Sequence, residues 1–138
     1  MKNMPKGIVF VLFIAILPFL IFLFMTQGQT MDFEHYQDKV KQLSTFPIDS
    51  EWGQGRSAFG GLTAALVLTH IEQQTGLTDR DLRTINIHFC GAVILDQPCV
   101  FTHRVLSEGK SVFQVEGQLL QDGQVKTQIV ACFGAQRQ

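Results

Sequence analysis

The sequence predicts an α+β domain in which an antiparallel sheet of about five strands wraps a single buried helix, and three observations carry that prediction. Residues 62–74, "LTAALVLTHIEQQ", are apolar nearly all round, and a helix without a polar face is a buried one. Four later runs, "RTINIHFCGAVI", "CVFTHRVL", "SVFQVEGQLL" and "QVKTQIVACF", are rich in β-branched and aromatic residues. Two of the connections between them, "SEGK" and "QDGQ", are short and contain glycine, as antiparallel hairpins require.

The elements follow in order. Residues 8–25, "IVFVLFIAILPFLIFLFM", carry no charge and no polar side chain. At about 1.5 Å per residue they reach roughly 27 Å, close to the thickness of a bilayer's hydrocarbon core. Lys2 and Lys6 precede this run. A single-pass anchor would therefore keep the N-terminus in the cytosol and export the rest. A second reading competes with it. Met31 opens "MDFEHYQDKVKQL" like an ordinary start, and a chain beginning there has nine Lys+Arg against twelve Asp+Glu and is cytoplasmic. In both readings residues 1–30 are a hydrophobic segment with a polar linker, and residues 31–138 are the folded domain.

Within that domain Phe33, Tyr36, Val40 and Leu43 recur at helical spacing, and Pro47 ends the helix. A strand is expected over residues 48–52. The apolar helix comes next, with Gly76 where a C-terminal glycine stop belongs. Strands are then expected over 83–94, 99–106, 111–120 and 124–133. In the first, Ile85, Ile87 and Phe89 share one face. A flat sheet covers only one side of such a helix, so the sheet must curl around it. That geometry is the hot-dog fold, which leaves its helix partly uncovered within one protomer and favours a homodimer.

The 138 residues suffice for one domain with a real core. A net charge of −1 offers no basic field for nucleic acid. Cys90, Cys99 and Cys132 show neither CxxC nor zinc-ligand spacing. All three are expected as small buried hydrophobes in strands. The four histidines form no metal pattern and no nucleophilic triad spacing, so no metal or cofactor is implied.

The stretch "WGQGRSAFGGLTAAL" runs through glycines into the buried helix. A helix start offers unpaired N–H groups and a partial positive charge, and glycine admits a ligand close to that backbone. This stretch, with "INIHFCGAV", "RVLSEGKSVFQVEGQLLQDGQV" and "IVACFGA", resembles the N-terminal hot-dog repeat of type II acyl-CoA thioesterases, which carry two repeats. The resemblance covers about residues 46–135. It implies hydrolysis of acyl-CoA or another acyl thioester, with the amides of Gly60 and Gly61 holding the developing oxyanion.

Gln121 matches the position type of the glutamine that those enzymes use, and is expected to orient water. Thr63 offers a hydroxyl one turn into the helix. Arg56 and Phe59 are expected on the substrate side, Arg56 either meeting a phosphate or bracing the loop. The sequence departs from the pattern in one respect: no Asp or Glu lies between Gly60 and Ile71. The helix start therefore does not identify a general base, Glu51 reaching it only if its strand end folds over the helix start. A non-catalytic acyl-thioester binding or partner module stands as the alternative. The second repeat would come from a homodimer partner or from another chain.

Overall fold

The computed structural model describes residues 30–136. The expected anchor at residues 8–25 lies outside them. Among the described residues no helix is long and apolar enough to cross a membrane.

Helix α1 (Thr30–Gln42) is followed by strand β1 (Thr45–Pro47), a 3-10 turn (Ser50–Trp52) and a small hairpin, β2 (Gly53–Gln54) and β3 (Ser57–Ala58). Helix α2 (Gly60–Thr75) then leads into β4 (Arg80–Phe89), β5 (Pro98–Glu108), β6 (Val112–Gln121) and β7 (Gln124–Ala135). The main sheet has the order β1-β5-β6-β7-β4, with every pairing antiparallel. Helix α2 packs on β5, β6 and β7. This is the hot-dog arrangement that the sequence predicts.

The apolar face of α2 explains the packing. Leu62, Ala64, Ala65, Leu66, Val67 and Ile71 are all buried, together with Ile87, Phe101, Val115, Leu119 and Ile129 from the sheet. Helix and sheet come closest at Gly117, in the middle of β6. A Cβ built there would lie 2.6 Å from Ile71 Cδ1 and 2.8 Å from Val67 Cγ1. Only a residue without a side chain lets the helix axis settle at this height. Gly76 ends α2 in the left-handed region at φ 61°, as its place after the last turn requires. The β6–β7 hairpin turns through Asp122 and Gly123, both at positive φ, which matches the right-handed twist of the flanking strands.

Helix α1 closes one side of the core. Tyr36 stacks on Phe46 at 6.0 Å, and Phe46 on Phe101 at 5.2 Å. The Tyr36 hydroxyl donates to Asp49 Oδ2 at 2.7 Å and accepts from Asp49 N at 2.8 Å. Leu43 falls beyond the last turn and is exposed, so it does not extend the apolar face as its spacing suggests.

Three other expectations are corrected. Residues 48–52 are not a strand: Asp49 caps a 3-10 turn by accepting from Glu51 N at 3.0 Å, and pairing with β5 stops at Pro47. Strand β4 ends at Phe89 rather than at residue 94. There the N–H groups of Cys90 and Gly91 both donate to the Lys126 carbonyl, at 2.9 and 3.2 Å. With two donors on one carbonyl the ladder cannot advance, and residues 90–97 leave as a loop. Cys90 is consequently exposed rather than buried, whereas Cys99 is buried and Cys132 is intermediate.

Candidate functional site at the start of helix α2

The chain enters α2 from the β2–β3 hairpin, whose tip is Gly55 and Arg56. Gly55 is at φ 68°, a conformation that costs glycine nothing. Two backbone bonds set the entry angle: Phe59 N donates to Trp52 O, and Ala58 N to Val93 O, both at 2.8 Å. Phe59 occupies the N-cap position with no side-chain cap, and the first turn carries no acid. The N–H groups of Leu62 and Thr63 both donate to Phe59 O, at 3.0 and 3.2 Å. Gly60 and Gly61 precede these first helical bonds, so their N–H groups have no intrahelical acceptor.

Two aromatic rings flank the pair. A Cβ on Gly61 would lie 2.5 Å from the Phe59 ring, and a Cβ on Gly60 would lie 3.1 Å from that of Phe89. Neither glycine is at positive φ, so what the positions require is space rather than backbone freedom. Phe59 is buried, while Phe89 is half exposed at 49%. The amide donors thus sit between a fixed ring and a ring reachable from solvent. Apolar walls lower the local dielectric and strengthen any bond to developing negative charge.

The other expected site residues divide. Arg56 is exposed at the hairpin tip, on the rim. Thr63 is buried, and its hydroxyl donates back to Gly60 O at 2.9 Å while accepting from Thr127 Oγ1 at 3.2 Å. It faces the sheet rather than the open helix start.

Gln121 has its amide engaged by the protein's own backbone. Its side chain is 2% exposed, and its amide clamps the loop over residues 90–97. Oε1 accepts from Ile94 N at 2.8 Å, and Nε2 donates to Ile94 O at 2.8 Å and to Gln97 O at 3.3 Å. With its donors directed to carbonyls, this amide has no N–H left for a substrate water. The clamp still bears on the site. Ile94 forms a bridge with Ser57, and Val93 holds Ala58, two residues before Gly60.

Among the described residues, no carboxylate is placed at the helix start by the bonds that define it. Asp49 is engaged by Tyr36 and Glu51 N. Glu51 is exposed in the 3-10 turn. Sequence reasoning missed two contributors, Thr127 and Phe89. Thr127 carried a signal: it is a polar residue on the inward face of β7, in line with Ile129, Ala131 and Phe133.

Residues 48–134, more than half of the chain, match the family model described as acyl-CoA thioesterase N-terminal domain. The chain belongs to this family. No curated protein sequence gives a match, so the family assignment stands on that model.

Solved structures support the fold of this acyl-CoA thioesterase N-terminal domain. The PaaI protein of the E. coli phenylacetic acid degradation operon aligns with a TM-score of 0.61 at 13% identity, covering 67% of this chain and 70% of its own. A Bacillus halodurans protein solved with CoA aligns at 0.56 with 22% identity, covering 67% of this chain and 65% of its own. A hypothetical thioesterase from Streptococcus pneumoniae, solved with coenzyme A, aligns at 0.59 with 13% identity, covering 68% and 77%. Another similar structure, a thioesterase superfamily protein, is spanned over only 48% of its length.

Proposed function

We propose that this chain binds an acyl thioester with its carbonyl oxygen on the N–H groups of Gly60 and Gly61, and that it hydrolyses the thioester as a dimer of hot-dog units. One observation carries the reading: the uncapped start of the buried helix, free of acid and walled by Phe59 and Phe89, inside a thioesterase-family fold. Attack of water on the carbonyl carbon places negative charge on that oxygen. Each well-placed donor is worth on the order of 3 kcal/mol to such a transition state. Collapse breaks the C–S bond, giving the carboxylic acid and the thiol. The CoA in two of the similar structures supports acyl-CoA as the thioester. Arg56, exposed at the tip of the hairpin that leads into α2, suits the phosphates of that carrier.

Strand β4 supports the dimer. Among the described residues it is an end strand of the sheet, paired with β7 alone, and its ten residues present an open row of backbone donors and acceptors. A second hot-dog unit added there would lie next to Phe89 and could bring the general base.

The test is release of free thiol from short-, medium- and long-chain acyl-CoA by the purified full chain. Gly60→Ala should lower release, because the new methyl group intrudes between the amide and the Phe89 ring. No release with any chain length would overturn the hydrolysis reading.

One observation favours a second reading. The first turn of α2 has no acid, which suits a module that binds the thioester without cleaving it. Calorimetric binding of acyl-CoA with no thiol release would select this alternative.

A further inference from the structure

We propose that Thr127 is a positioning residue for the Gly61 amide, acting through Thr63. This inference rests on the reading that the thioester carbonyl binds at the start of α2. The Thr127 hydroxyl donates to Thr63 Oγ1 at 3.2 Å, and the Thr63 hydroxyl donates to Gly60 O at 2.9 Å. Gly60 C=O and Gly61 N–H belong to one peptide group, held planar by resonance. A hydrogen bond received by that oxygen therefore fixes the direction of the N–H on the other side of the same plane.

The directions also agree. Hydroxyl, hydroxyl and peptide all donate in one sense, and the chain ends on the Gly61 proton. Each bond in such a chain polarises the next, by about 10–30%. The two threonines are 0% and 1% exposed, so water does not screen the effect. The result is an amide both aimed and made a better donor.

Neither hydroxyl is needed for packing. Thr127 occupies a position on β7 that valine would fill, in line with Ile129 and Ala131. Thr63 bonds back to a carbonyl of its own helix, a habit that by itself weakens a helix slightly. A buried hydroxyl at each position, with the pair bonded to one another, points to the group at the end of the chain.

The test compares Thr127→Val, which removes the hydroxyl at nearly constant volume, with Thr127→Ser, which keeps it. In Thr127→Val the Gly61 amide proton resonance should move upfield, kcat should fall about tenfold and KM should stay unchanged. Thr127→Ser should restore both the resonance and kcat. In a Thr63→Val background, Thr127→Val should cost nothing further, because the chain is already cut. Should Thr127→Val fail to fold, Thr63→Ala cuts the same chain from the helix side and should give the same upfield shift. An unmoved Gly61 resonance, or losses in kcat that add in the double variant, would overturn the proposal. If the wild-type chain cleaves no acyl-CoA, the hydrolysis reading fails on its own, and the Gly61 resonance still decides the positioning role.

Discussion

The two ends of helix α2 treat their polar groups in opposite ways. At the start, Thr127, Thr63 and Gly60 form a bonded chain, and the first amides of the helix have no intrahelical acceptor. Further along, His70 Nε2 meets His103 Nδ1 at 3.2 Å, while His70 Nδ1 is buried with no partner among the described residues. An orphaned N–H is the rarer defect in native structures. The fitting tautomer therefore has Nε2–H of His70 donating to Nδ1 of His103. Burial lowers the His70 pKa below its usual 6.5, and the charge of His103 lowers it further. The same helix thus carries one end suited to negative charge and another that resists positive charge. Burial alone does not dictate what a polar group does; the direction in which its donors point decides.

Breaking the first end should give the largest effect. Gly61→Val drives a side chain into the Phe59 ring, where even a Cβ would lie 2.5 Å away. It should abolish thiol release from acyl-CoA, a loss of at least about 100-fold. Gly117→Val is remote from the Thr63–Thr127 pair and forces Val67 and Ile71 outward beside His103, the cross-strand partner of Gly117. Overpacking of this kind costs about 1–3 kcal/mol, to be read as a lower urea midpoint.

The histidine end sharpens the contrast through pH. The folded pKa of His70 lies below the unfolded value, so the unfolded chain takes up protons first. The stabilisation is complete above about pH 6.5 and is lost as pH falls through the lowered folded value. His70→Gln should flatten this dependence, seen as urea midpoints that no longer drop on acidification. Smallest is Arg56→Ala at the exposed hairpin tip. Stability should stay within about 0.5 kcal/mol, whereas KM for acyl-CoA should rise if the guanidinium meets a phosphate of the carrier.

How far the sequence reveals all this depends on how local the cause is. The run from Leu62 to Ile71 has no polar face, so its burial and the curl of the sheet are legible from one window. Gly60 and Gly61 are legible for the same reason, since helix starts and glycine have local physics. Residues 48–52 mislead because one side chain, Asp49, turns a stretch bounded by Ile48 and Trp52 into a 3-10 turn. Residues 90–94 mislead because the carbonyl that ends β4 belongs to Lys126. Thr63 and Gln121 stand out as polar residues near the site, but their tasks depend on Thr127, 64 residues from Thr63, and on Ile94, 27 residues from Gln121. No periodicity encodes such pairings.

The Gln121 clamp carries one more consequence. Through Ile94 and Val93 it ties the loop over residues 90–97 to β3, and so to the doorway of α2. Should the proposed thioester rest against this loop as a wall of its site, an untethered loop would have to be frozen by each arriving ligand, at about 0.5–1.5 kcal/mol for every side chain immobilised. Here that ordering is completed when the chain folds. Ligand affinity should therefore carry little entropic toll from this wall, and Gln121→Ala should return it as weaker, more entropically opposed binding in calorimetry.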